Sequence, residues 1–260
     1  GGTMRNIFMV SFLFLCGFFL LAPVSFSQEM KDQLFWVREE VVKIEMWDKY
    51  ESTSKDWVTM MTGAGLDFPY MQASQRDDGH YYYLFPLDNY AAIDKMPEIF
   101  GAAIEKIGQD KWQKFMVENE SSIATHKDFI AKRSAKYSYW PKEPRLKPEE
   151  VKYLHWMFFH YKLENRKEIM DIMTEWKKLY EEKNIKNGYH IWLIELGMDN
   201  NLIALTEGYK DGADYYTAMK SDNAMMEAEA SALWAKMSKY VTSIENVYGS
   251  PRPDLGFVKK

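Results

Sequence analysis

Tyr153-Leu154-His155-Trp156-Met157-Phe158-Phe159-His160-Tyr161 is a short run dense in aromatic side chains, and its reading decides the architecture. A strand turns successive side chains to opposite faces. Leu154, Trp156 and Phe158 then point one way, and Met157, Phe159 and Tyr161 the other. Both faces are apolar, so the strand needs a cover on each. His190 to Leu196 is likewise apolar on both parities.

Working outward, Asn165 opens a helix whose Ile169, Ile172, Met173, Trp176, Leu179 and Tyr180 recur at three-to-four spacing. His190–Leu196 and Leu202–Tyr209 form a hairpin around Asp199-Asn200-Asn201. A long helix follows with Met226, Leu233, Met237, Tyr240 and Val241 inward, and Ile244 to Tyr248 closes as a strand. The same order occurs earlier. Lys43-Ile44-Glu45 returns as Lys162-Leu163-Glu164, 119 residues on, and Trp57 meets Trp176 and Tyr70 meets Tyr189 at that spacing. Later the spacing shortens to 110, with Pro141 against Pro251 and Ile123 against Leu233, so the first copy is expected to hold about nine extra residues. Its hairpin turns at Asp78-Gly79. Its second helical region, Pro97 to Arg133, is too long for one helix and breaks near Gly108.

Each copy therefore reads strand, helix, strand, strand, helix, strand, the ferredoxin-like βαββαβ order. The expected fold class is α+β: two tandem ferredoxin-like repeats with their sheets packed face to face. At this point the chain resembles the dimeric α+β barrel superfamily, with both halves fused in one polypeptide. The expected divisions are 1–27 as leader, 28–140 as the first repeat, 141–149 as a stiff polar linker, and 150–260 as the second repeat. Fusion raises the effective concentration of one half for the other to the order of mM, so a monomer is expected.

The start of the chain reads as a secretory signal. Arg5 precedes an apolar stretch from Ile7 to Val24, Ser25 and Ser27 suit cleavage, and Gln28 would begin the mature chain. The expected location is periplasmic or secreted, with no membrane contact after cleavage. A retained anchor is the other reading of that stretch. The single cysteine, Cys16, lies inside it. The mature part thus has no thiol chemistry and no disulfide. With 38 acidic against 33 basic side chains and no basic block, nucleic acid is not an expected partner.

No nucleophile elbow, phosphate loop, dinucleotide fingerprint or zinc helix is present. Candidates come instead from strand parity. Trp36, Arg38 and Glu40 align with His155, Met157 and Phe159 at the 119 spacing. Buried polar groups need partners, so Arg38, Glu40 and His155 are candidates for a cavity, with His155 as a catalytic base. The alternative is a first strand that begins later, leaving Arg38 and Glu40 solvated at its edge. Tyr161, His190 and Trp192 complete the candidate ligand set; His190 shares its parity with Trp192, which suits an aromatic pocket or a packed sheet alike. His155 and His160 face opposite ways and cannot share a metal, and His80, after a turn, is expected at the surface. His126 is placed on the long helix of the first copy, matching Lys236, so a boundary position is the simplest reading. As a lone helical histidine it is also the only candidate for an axial haem ligand, which haem-binding members of the superfamily use.

The resemblance implies a pocket for a small apolar or aromatic molecule between two sheets, with monooxygenase-like chemistry needing no cofactor, or haem as a second option. A non-catalytic envelope module that binds a protein partner is the alternative.

Overall fold

The computed structural model describes residues 31–198 and 201–259. The expected signal segment, and the Asp199-Asn200 part of the second hairpin, lie outside the described residues.

The first half runs β1 (Gln33–Val42), α1 (Trp47–Gly63), β2 (Tyr70–Arg76), β3 (His80–Leu87), α2 (Met96–Ile107), α3 (Gln109–Glu120) and β4 (Ile123–Tyr139). The second runs β5 (Tyr153–Tyr161), α4 (Arg166–Glu182), β6 (Tyr189–Leu196), β7 (Leu202–Tyr209), α5 (Gly212–Met237) and β8 (Val241–Pro251), and a short β9 (Phe257–Val258) ends the chain. Strand order is β2-β3-β1-β4 in the first half and β6-β7-β5-β8 in the second. Every pairing is antiparallel.

Two strands join the halves. β4 pairs first with β1 and then with β6, and the end of β8 leaves β5 to pair with β2. The eight strands thus close into an antiparallel barrel, which leaves no open sheet edge along its seams. The five α-helices among the described residues lie outside it. This explains the doubly apolar strands: one face packs into the lumen and the other beneath helices. Phe35, Val37, Phe129, Ala131, Ile194 and Leu202 form the lumen core. A second core lies under α4 and α5, around Ile169, Ile191, Ile203 and Met237. The third, under α1 and α2, includes Tyr50, Met61, Tyr81 and Phe85.

The first strands of the two halves correspond in their ladders. The β1–β4 ladder slips between Val41 and Val42, and the β5–β8 ladder slips between His160 and Tyr161, 119 residues on. β4 begins at Ile123 and β8 at Val241, a spacing of 118. The expected nine-residue excess is therefore absent. The helix does break at Gly108, whose φ is +92°, in the left-handed region that glycine enters at no steric cost. The second half kinks α5 at Glu227, again 119 residues on.

Residues 123–133, expected to be helical, instead form the first part of β4, and Tyr240 and Val241 lie beyond the end of α5. Met71, not Tyr70, corresponds in register to Tyr189: Met71 packs under the helices while Tyr70 faces the lumen. The linker is anchored too, because Arg145 bonds Asn187 at 2.8 Å and both carboxylate oxygens of Asp214 at 2.6 and 2.9 Å.

Candidate functional site

A cavity of about 230 Å³ lies between the first-half strands and α1, α2 and α3. It does not lie between the two sheets, where the pocket was expected; on the lumen side Phe35, Val37, Phe129, Ala131, Ile194 and Leu202 pack on one another. Its apolar walls come from Trp36 and Phe85 on the strands, Trp57 on α1, Phe100 on α2, and Trp112 and Met116 on α3. Trp36 stacks on Phe85 at 4.9 Å, and Phe100 meets both rings edge-on. The polar end is made by Arg38, Glu40, Ser54, Tyr83 and Asn119.

β1 holds Arg38 and Glu40 on the helix-facing side, in register with Tyr83 and Tyr81 of β3. Arg38 Nε donates to Glu40 Oε1 at 2.6 Å, and Tyr50 donates to Glu40 Oε2 at 2.6 Å. Tyr50 and Tyr83 hydroxyls are 2.8 Å apart. Since the Tyr50 proton goes to Glu40, Tyr83 donates to Tyr50, and the chain is oriented toward the carboxylate. The Ser54 hydroxyl lies 3.4 Å from Tyr83. Burial, then Tyr83 and Glu40, push the Tyr50 phenol well above its ordinary range, which keeps it a neutral donor. Burial pulls the Arg38 guanidinium down, but Glu40 beside it prevails and raises it. Thr53 Oγ1 donates to Asn119 Oδ1 at 3.0 Å, fixing the amide of α3 at the rim.

The same positions in the second half show what the cavity replaces. Arg38, Glu40 and Tyr83 correspond to Met157, Phe159 and Leu205 in the ladders. Tyr50, Thr53 and Ser54 on α1 correspond to Ile169, Ile172 and Met173 on α4, all three buried. α3 buries none of its residues, whereas the last part of α5 buries Ala230, Leu233 and Met237. In the second half these positions belong to one buried core, where the first half has its cavity.

The remaining candidates fall elsewhere. His155 has no exposed surface and lines neither described cavity. Its Nδ1 is 3.1 Å from Glu207 Oε2 and its Nε2 is 2.9 Å from Asn246 Oδ1, with Tyr215 and Tyr248 packed on the ring. Both nitrogens are engaged, and a molecule seated in the cavity lined by Glu40 would not meet the ring. Tyr161 is buried in the second-half core, while His190 and Trp192 face the lumen. His80 is half-buried and paired with Glu39 at 2.8 Å, rather than at the surface. His126 stands on β4, exposed, and not on a helix. All five histidines are on strands and none lines the cavity. The residues here therefore do not fit an axial haem site. Among the described residues no cluster suited to a metal ion occurs.

Ser54, Trp57, Phe100, Trp112, Met116 and Asn119 were not singled out from sequence as site residues. One signal was available: Ser54 is a small polar residue within the inward stripe of α1, where Met173 stands 119 residues on.

No family model and no curated protein sequence matches the chain. Solved structures do. A candidate monooxygenase from Lactobacillus acidophilus NCFM superposes with a TM-score of 0.51 at 9% identity, over 88% of this chain and 97% of that one. A candidate monooxygenase from Fusobacterium nucleatum gives 0.52 at 16% identity, over 85% and 93%. An anthrone oxidase-like protein gives 0.54 at 6% identity, over 88% and 93%. The fold is an α+β barrel. At these identities the likeness is one of architecture alone, and the site must be argued from this chain's own residues.

Proposed function

We propose that the chain is an exported, monomeric, monooxygenase-like protein that takes one small flat aromatic molecule into the first-half cavity. Its two halves are read as copies of one ferredoxin-like unit, of which only the first kept a binding site. The observation that carries the reading is the cavity itself: aromatic walls with one polar end built around Glu40 and Arg38. Pockets of this composition orient an apolar body by a few placed polar groups.

The chemistry proposed needs only the substrate and molecular oxygen. Glu40 takes a proton from an acidic ring position, leaving an electron-rich anion held against the aromatic walls. Oxygen then adds at that carbon. When a methylene becomes a carbonyl, one oxygen atom enters the product and the other leaves as water, so no external reductant is required. Arg38 steadies the carboxylate and the developing negative charge. Likeness to an anthrone oxidase-like fold makes anthrone the natural first probe. The expected result is protein-dependent oxygen uptake matched one-to-one by anthraquinone. Binding of anthrone without uptake would support a binding-only role for the cavity, and the absence of both would sink the proposal.

A further inference from the structure

Two buried nitrogens on the lumen side of the barrel lack a hydrogen-bond partner, Arg133 Nε and His190 Nδ1. They are neighbours by register. Arg133 stands opposite Trp192 on the β4–β6 ladder, and His190 lies two residues along β6 on the same face, within reach of a long side chain. The Arg133 guanidinium lies over the Phe35 ring at 5.7 Å. The His190 ring is stacked on Trp140 at 5.3 Å and meets Trp192 edge-on at 6.4 Å.

Arg133 has no counter-ion. Among the described residues no carboxylate pairs with it, and Tyr70 is the one neighbour that opposes the effect of burial on its charge. The other arginine of the lumen is treated differently. Arg76 also lies over an aromatic ring, that of Phe158, yet it bonds Asp78 and donates to Tyr82 at 3.1 Å. A partly buried cation whose Nε faces nothing is a costly arrangement unless something outside the chain completes it. His190 supplies the second unpartnered nitrogen. Burial, and then Arg133, hold its pKa near 3, so the ring is neutral near pH 7 and in one tautomer Nδ1–H is a donor without an acceptor in the chain.

We infer that a compact oxyanion, between formate and phosphate in size, seats in the lumen against Arg133 Nε and His190 Nδ1. Its rim is aromatic: Phe35, Trp140 and Trp192. The site is independent of the first-half cavity, which opens on the opposite face of the sheet. A carboxylate and an inorganic oxyanion satisfy the same two donors, so the test separates them.

The 15N-labelled protein is titrated with formate, nitrate and phosphate at fixed ionic strength, reading the Arg133 Nε–H and His190 ring resonances. The expected result is a saturable shift of both with at least one ion. Preference for formate marks a carboxylate site, and preference for nitrate or phosphate an inorganic one. In Arg133→Met the His190 response should vanish while the methyl signals of the lumen core stay in place. A linear, non-saturating drift with all three ions, or a His190 response that survives Arg133→Met, overturns the proposal.

Discussion

Glu40 is the residue on which the proposed chemistry turns. Its position was legible: alternate residues of one strand share a face, so Arg38 and Glu40 had to lie on one side together. Its partners were not, because Tyr50 and Tyr83 come from α1 and β3, 10 and 43 residues along the chain. His155 shows the opposite failure. Its parity was read correctly, but Glu207 and Asn246, which occupy both ring nitrogens, are 52 and 91 residues away. Those partners, with Tyr215 and Tyr248 on its ring, hold it away from the cavity. Glu40→Gln keeps the shape of the cavity and removes the base. Oxygen uptake with anthrone should fall by about 10²- to 10⁴-fold, with anthrone still quenching tryptophan fluorescence. Undiminished uptake would move the base elsewhere.

At the scale of elements, the C-terminal segment closes the floor beside the first-half helices. Leu255 is fully buried there and β9 pairs with β2. Arg252 ties the segment to α1 through Glu51 and to β2 through Gln75, and also bonds Asp254 of the segment itself. The Arg252 bond draws Asp254 down to about 2 and also lowers Glu51. Both carboxylates have depressed folded-state pKa values, so their stabilisation is complete above the ordinary carboxylate range of about 4. It is lost as pH falls through the folded values. The melting temperature of Arg252→Gln should lie below that of the parent at pH 6, and the gap should narrow as pH falls toward 2; a gap constant with pH would contradict the linkage. The strand β4 shows why one element was misread. Residues 124–128 are exposed on both faces, so no two-residue alternation marks them as a strand, and their polar run joined the preceding helical pattern. β5, buried on both faces, carried the signal that β4 lacked.

For the molecule as a whole, the α+β barrel was readable because doubly apolar strands demand two covers. The hollow in one half was not, since a cavity wall and a packed core use the same aromatic residues at the same spacing. Closure rests on the two seams. At one of them Gly249 of β8 comes so near β2 that an added Cβ would sit 1.9 Å from the Gln75 carbonyl oxygen. Gly249→Ala should therefore destabilise the barrel by about 1–3 kcal/mol or more, seen as a lower urea midpoint. An unchanged midpoint would mean the seam can give way. The central claim is one aromatic-binding cavity per chain, in the first half only. Native mass spectrometry of the protein with anthrone tests it most directly, alongside Ser54→Met, which puts into α1 the residue that fills the second half at Met173. The account predicts a monomer carrying a single anthrone, and a bare monomer for Ser54→Met. Two bound molecules per chain, or one that persists in Ser54→Met, would contradict it.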